Sequence, residues 1–254
     1  PQEMVPFWQR AIDGLSRHSQ QRDAESISHH YDVSNRFYEL FLGPSMTYTC
    51  AYYPDSSASL EEAQENKYRL VFDKLRLQPG DTLLDVGCGW GGMVRYAAKR
   101  GVHALGVTLS HAQAEWANEE IKRQGLEEFA EVRYQDYRDV PESDFDAISA
   151  IGILEHIGPK NYRSFFSFLY GKLRPEGMIL NHCITRPHNR PTQTGQFIGR
   201  YIFPDGELTG AGTIITRMQD VGFDVVHEED LRPHYAHTLR DWCLNLQKNW
   251  DEAS

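Results

Sequence analysis

The sequence predicts an α/β domain built on a mostly parallel sheet with helices on both faces, with a helical extension ahead of it. Three observations predict this. From residue 82 onwards, short apolar runs alternate with stretches of helical period, the pattern of a doubly covered parallel sheet. The first of those runs enters a glycine-rich turn that opens a helix. The residues before about 78 carry helical periodicity alone.

The elements follow in order. Val5 to Ser16 places apolar residues at helical spacing. His29 to Leu42 reads as a helix ending in Phe37, Tyr38, Leu40, Phe41 and Leu42, stopped by Gly43-Pro44. Ser59 before Leu60-Glu61-Glu62 predicts a capping box that opens a helix to about Leu75. Gln78-Pro-Gly-Asp81 is a turn. Strands are predicted at Thr82–Val86, Ala104–Thr108, Glu131–Tyr134, Phe145–Ile151, Gly177–Ile184 and Asp224–Glu228. Helices are predicted at Gly92–Arg100, from the cap Ser110 to about Gln124, and at Tyr162–Leu173, Thr213–Val221 and Thr238–Trp250. Arg186 to Gly212 fits no period and holds Pro187, Pro191, Pro204 and five glycines. Two readings of it stay open, a wall of the substrate site or a packed surface loop.

Composition bounds the function. Of 254 residues, 40% are hydrophobic and 12% aromatic, enough for one folded α/β core. The net charge of −10 argues against a nucleic-acid binder, which needs a basic face toward phosphate. A local basic patch could still meet a membrane. Cys50, Cys88, Cys183 and Cys243 form no C-x-x-C pair, so neither a zinc ribbon nor a redox motif is indicated, and no metal site is expected. Scattered thiols fit a reducing compartment, hence a cytoplasmic location. No stretch approaches the roughly 20 apolar residues of a membrane span. The chain begins Pro1-Gln-Glu-Met4, which is no signal peptide. Without an initiator Met it reads as a fragment of something longer.

Asp85-Val-Gly-Cys-Gly-Trp-Gly91 is the strongest motif, lying between a strand and a helix. Gly87 and Gly89 permit a sharp turn and close approach to a ligand. Gly87, Gly89 and Gly92 also match the dinucleotide fingerprint, which suggests a nicotinamide-dependent oxidoreductase as a rival. That fingerprint wants an acid about 20 positions on, whereas the second strand ends Gly106-Val-Thr-Leu-Ser110. The Asp within the first strand and the missing acid favour S-adenosylmethionine. Thr108, Leu109 and Gln113 then stand where most methyltransferases place a ribose-binding acid, and a hydroxyl and an amide can make those bonds without charge. Asp136 and Tyr137 follow the third strand, placed to meet the adenine, with Tyr137 offering an aromatic face.

His30-Tyr-Asp-Val-Ser34, Tyr48-Thr-Cys-Ala-Tyr52, the glycine motif, Gly106–Ser110, Asp136-Tyr-Arg-Asp139, Glu155-His156 and Pro233-His-Tyr235 together resemble the cyclopropane fatty acid synthase and mycolic acid cyclopropane synthase family, over about His29 to Trp250. The resemblance implies the Rossmann-like class I methyltransferase fold, with seven strands and an N-terminal helical cap. Residues 1–78 would form the helical extension and cofactor lid, and 79–254 the methyltransferase domain with an acyl-site insertion at about 186–212. It also implies attack of an acyl alkene on the methyl of S-adenosylmethionine, then proton loss to a bound bicarbonate and closure to cyclopropane. Cys50, Glu155, His182, Ile184 and Tyr235 match the bicarbonate holders, with Cys50 and Ile184 acting through backbone groups. Tyr31, Tyr48 and Thr49 match the cofactor lid. Taken singly, each has a plainer reading: a satisfied core histidine at His182, a packed aromatic at Tyr235, a small buried hydrophobe at Cys50.

The product stays open. Relatives on this scaffold also leave a methylene or methyl branch, the latter needing a partner reductase, and others add water. A phospholipid-bound unsaturated acyl chain is the expected substrate, with peripheral contact at the inner membrane face. Arg186, Arg190 and Arg200 are candidates for lipid phosphates. A homodimer is compatible with the resemblance. The third class is a lipid-binding module without activity, which would have lost Glu155, His182 and Tyr235; all three are present.

Overall fold

The computed structural model describes residues 35–189 and 207–254. The expected helix Val5–Ser16, the start of the helix from His29, Tyr31, Arg190 and Arg200 lie outside the described residues. The chain forms α1 (Asn35–Leu42), α2 (Leu60–Lys74), β1 (Thr82–Val86), α3 (Gly92–Ala98), β2 (His103–Thr108), α4 (His111–Arg123), β3 (Ala130–Tyr134) and β4 (Phe145–Ile151). There follow α5 (Leu154–Ile157), α6 (Tyr162–Lys172), β5 (Leu173–His182), α7 (Ala211–Gln219), α8 (Arg232–Lys248) and α9 (Trp250–Ala253). The strands form one sheet in the order β3-β2-β1-β4-β5, and every neighbouring pair is parallel.

The order reverses direction at β1, so β2 and β4 flank it and a crevice opens beyond their carboxyl ends, where such sheets bind ligands. Strand alternation divides the core. Leu83, Ala104, Val132 and Ala147 face Val71, Val94 and Ala117 from α2, α3 and α4. Leu84, Val86, Leu105, Val107 and Ile148 face Phe165, Phe166 and Leu169 from α6. Fully burying each large side chain contributes about 1.5–3 kcal/mol. A third cluster joins Tyr38 and Leu42 of α1, Trp90 of the glycine turn and Trp242 of α8. It caps the carboxyl end of the sheet.

Several sequence expectations are corrected. Among the described residues the sheet has five strands, not seven. Asp224–Glu228 is not a strand: no strand among the described residues bonds to it, and Val225 and Val226 are exposed. That segment is tied instead by the Lys74–Glu229 ion pair. The last long helix starts at Arg232, six residues before the expected Thr238, because Pro233 sits in its first turn, where its missing N–H leaves no bond unmade. β5 starts at Leu173, with a register shift opposite Phe145 and Ala147. The capping box at Ser59 and Glu62 forms as expected.

Candidate functional site

A cavity of about 1300 Å³ lies beyond the carboxyl ends of the strands. It brings together Tyr48, Thr49, Cys50, Asp85, Gly87, Gly89, Thr108, Leu109, Gln113, Tyr137, Glu155, His182, Ile184 and Tyr235. Asp136 is the described candidate that does not line it.

One half is built around the glycine turn. Gly87, Gly89 and Gly91 have φ of 71°, 54° and 70°, a region where a Cβ is strained. Their conformations let the N–H groups of Gly87 and Cys88 both reach the carbonyl of Val107, folding the turn over β2. A Cβ on Gly91 would come within 3.2 Å of Ala117 and Val132, whereas one on Gly89 would meet nothing within 4 Å. Gly91 therefore serves packing, and Gly89 presents bare backbone to the cavity. Asp85, 3% exposed, accepts a hydrogen bond from Ser149 Oγ at 2.6 Å. Burial pushes its carboxyl up to about 6, opposed by Ser149 and by Lys67. Thr108 Oγ1 lies 2.7 Å from Gln113 Oε1, so the hydroxyl donates and the amide nitrogen of Gln113 is left for a ligand. Ser110 caps α4 by accepting from the Gln113 N–H.

Asp136 is drawn elsewhere. It caps the turn Tyr137–Asp139 and pairs with the Arg138 guanidinium through contacts of 2.8 and 2.6 Å. The expectation that it meets an adenine is not what this geometry offers; Gln135, Tyr137 and Arg138 line the wall there. The Tyr137 ring is braced edge-on by Phe165 and Phe168.

The other half is built around Glu155 on α5. Its Oε1 accepts the Ile184 N–H at 2.8 Å, while Oε2 is buried without a partner. Burial pushes Glu155 up to about 7, against the Ile184 hydrogen bond. His182 ends β5; burial, then the charges of Lys67 and Lys74, pull it down to about 4, so the imidazole is neutral. Tyr235 stands edge-on to Trp242, and burial raises its phenol. The Cys50 thiol donates to Ala51 O and Leu231 O and is pushed up to about 11 by burial. The thiol therefore stays protonated near neutral pH, and the Cys50 backbone N–H makes no hydrogen bond among the described residues. The Ile184 N–H, by contrast, is engaged by Glu155 and orients that carboxyl.

Sequence reasoning missed the fastening of residues 47–53. From α2, Gln64 Nε2 donates to Thr49 O at 3.0 Å, Lys67 Nζ donates to Thr49 Oγ1 at 2.9 Å, and Tyr68 hydrogen-bonds Thr47. From α8, Thr238 Oγ1 accepts the Ala51 N–H at 3.0 Å and Asp241 accepts the Tyr53 hydroxyl at 2.9 Å. Gln64, Lys67 and Tyr68 share one helical face with buried Leu60, Ala63 and Val71. Polar residues on that otherwise apolar face were the available signal. The ends of the Arg186–Gly212 segment meet: Arg186 N donates to Thr209 O at 2.8 Å, and Arg186 Nε to Leu208 O.

Known proteins share this architecture. The family model described as mycolic acid cyclopropane synthetase matches residues 18–254. A Mycobacterium tuberculosis protein named as a probable fatty acid methyltransferase is 63% identical over 254 residues, covering 100% of this chain and 59% of that protein. A Pseudomonas putida protein of the same name is 42% identical over 243 residues, covering 93% of this chain and 62% of its own length. This chain thus spans 59% and 62% of those two relatives. The crystal structure of mycolic acid cyclopropane synthase CmaA1, complexed with SAH and CTAB, superposes with a TM-score of 0.84 at 37% identity, covering 91% of this chain and 85% of that one. The fold is that of class I methyltransferases, and the chain belongs to the mycolic acid cyclopropane synthetase family.

Proposed function

We propose that this chain transfers one carbon from S-adenosylmethionine to the double bond of an unsaturated acyl chain and closes a cyclopropane ring. One observation carries the reading. Glu155 Oε2 is buried and unpartnered, and Glu155 lines the same cavity as neutral His182 and the glycine turn. A proton-handling cluster and a nucleotide-type turn opening on one space suit methyl transfer followed by proton removal.

S-adenosylmethionine supplies an electrophilic methyl group, and Asp85, Gly87, Gly89, Thr108 and Gln113 would hold it; Gly89 leaves room for it and Gln113 has a free donor. Bicarbonate supplies a proton acceptor, and Glu155, His182, Tyr235 and the Cys50 N–H would hold it; the unpartnered Oε2, able to accept the ion's O–H, supports this reading. The protein does the rest by orientation and exclusion of water. Tyr48, Trp242 and Tyr235 form an aromatic wall, and a carbocation beside it survives only where water is kept out. Glu155 near neutrality balances charge as positive character develops on the substrate.

A second reading, a methyl or methylene branch, is favoured by the two relatives named as fatty acid methyltransferases. We propose a lipid acyl substrate in either case, met at the inner membrane face from the cytoplasm. Among the described residues no helix is long and apolar enough to cross a membrane. Methyl-labelled S-adenosylmethionine incubated with the protein and mono-unsaturated phospholipid tests the reading. Label in the acyl chain supports it, and cofactor binding without labelled lipid sinks the substrate class.

A further inference from the structure

Lys67 lies in the middle of α2, is 2% exposed and lines the cavity. Lysine is almost never fully buried unless paired. Its Nζ donates one hydrogen bond, to Thr49 Oγ1 at 2.9 Å, and sits 4.3 Å from the Tyr68 ring centroid. No carboxylate forms an ion pair with it among the described residues. An ammonium has three donors and no acceptor. Two donors are left over, and Thr49, which accepts, keeps its own O–H to give.

Packing fixes where this pair stands. A Cβ on Gly92 would overlap the Tyr68 hydroxyl, so α2 rests on the first turn of α3, directly after the glycine turn. A Cβ on Gly152 would come within 3.0 Å of Thr49 Cγ2, and one on Gly87 within 2.9 Å of Ile153 Cδ1. Lys67, Thr49, Gly152, Ile153 and Gly87 therefore form one continuous run of cavity wall at the carboxyl ends of β1 and β4. Asp85 lies in the same wall, and its charge and that of Lys67 attract without forming an ion pair among the described residues.

Opposite charges buried apart in one wall suit a zwitterion. The amino-acid arm of S-adenosylmethionine ends in one, an α-ammonium and an α-carboxylate. With the ribose on Thr108 at the end of β2 and Gln113 on α4, that arm has to run across the glycine turn toward β1 and β4.

We infer that Lys67, together with the Thr49 hydroxyl it holds, binds the α-carboxylate of this amino-acid arm. This rests on the reading that the cavity takes S-adenosylmethionine. A carboxylate has acceptor sites enough for the two spare ammonium donors and the Thr49 O–H, and such bonds are charge-assisted. Burial pulls the ammonium down to about 7, a cost that an adjoining carboxylate offsets. Fastening residues 47–53 does not account for a buried cation here. Gln64 and Tyr68 hold that segment from the same helix through neutral bonds, and a neutral donor at 67 would serve as well.

Two thioether ligands isolate the carboxylate: S-adenosylhomocysteine, and its decarboxylated analogue S-adenosyl-3-thiopropylamine, which keeps the amine and the adenosine. Isothermal titration calorimetry compares them on wild type, Lys67→Met and Lys67→Gln at a single neutral pH. Wild type is expected to prefer S-adenosylhomocysteine by about 10–100-fold. In the variants its affinity is expected to fall by that factor while the analogue binds as before, so that the preference disappears. Two variants are used so that one folded protein suffices, checked by thermal unfolding. Equal weakening of both ligands overturns the inference, because a purely structural role for Lys67 gives that result. A preference that survives in the variants also overturns it, and leaves the cation facing another anion such as bicarbonate. Wild type alone can overturn it by binding both ligands equally. Failure of wild type to bind S-adenosylhomocysteine at all is a separate result, which overturns the cofactor reading itself.

Discussion

Glu155 Oε1 accepts the backbone N–H of Ile184 at 2.8 Å while its second oxygen, equally buried, has no partner. One oxygen fixes the carboxyl and the other is left for chemistry. Glu155→Gln keeps an acceptor for Ile184 and removes the charge. It is expected to leave S-adenosylmethionine affinity unchanged and to lower turnover by about 10²–10⁴-fold. Calorimetry beside a labelled-lipid assay checks this. Equal loss of binding and turnover would show that the two halves of the cavity are not separable.

The same residue sets a pH dependence of stability. Burial raises Glu155 from 4.5 to about 7, so its contribution is complete below the ordinary value and is lost as pH rises through about 7. His182, lowered from 6.5 to about 4, works the other way: its contribution is present above 6.5 and is lost as pH falls toward 4. Glu155→Gln removes only the first effect. Urea unfolding of the ligand-free protein should show the variant more stable than wild type at about pH 8 by on the order of 3 kcal/mol, and nearly equal to it at about pH 5. An advantage of the same size at both pH values would contradict the burial account.

Ser149 donates to Asp85 at 2.6 Å within the core. Ser149→Ala removes a bond that favours the carboxylate, so Asp85 rises further and is less often charged at neutral pH. Cofactor affinity is expected to fall about tenfold at about pH 7, with recovery as pH is raised. A loss that does not recover at higher pH would mean that Ser149 acts through packing.

Gly89 and Gly91 separate binding from folding. Both have positive φ, and an alanine at either costs about 1–2 kcal/mol in backbone strain. At Gly91 the new Cβ also presses on Ala117 and Val132, while at Gly89 it enters open cavity. Gly91→Ala is therefore expected to lose more stability, and Gly89→Ala more cofactor affinity. Thermal unfolding and calorimetry on the pair decide it; the reverse order would place the ligand elsewhere.

The turn, the capping box and the alternation of β1 to β5 were legible in the sequence because each is written in local chemistry: glycines at positive φ, Ser59 three residues before Glu62, apolar runs between turns. What was not legible depends on tertiary partners. Val225-Val226 has strand-like residues but pairs with no strand among the described residues. Asp136 stands where an adenine contact was expected, yet Arg138, two residues on, claims its carboxylate. Lys67 was passed over because a lysine in a helix is normally solvated; its burial appears only once residues 47–53 are laid across α2. Cys50, Glu155, His182, Ile184 and Tyr235 come from separate parts of the chain, and no single motif joined them. Resemblance grouped them, and the cavity contains all five.

The central claim is one-carbon transfer to an acyl double bond with ring closure. Its most direct test is mass spectrometry of mono-unsaturated phospholipid after incubation with trideuteromethyl S-adenosylmethionine and the protein. The account expects a product that has gained one CD₂ unit, has lost its alkene and fragments as a ring. Retention of all three deuteriums in a methyl branch, or an exocyclic methylene in the fragments, would contradict ring closure.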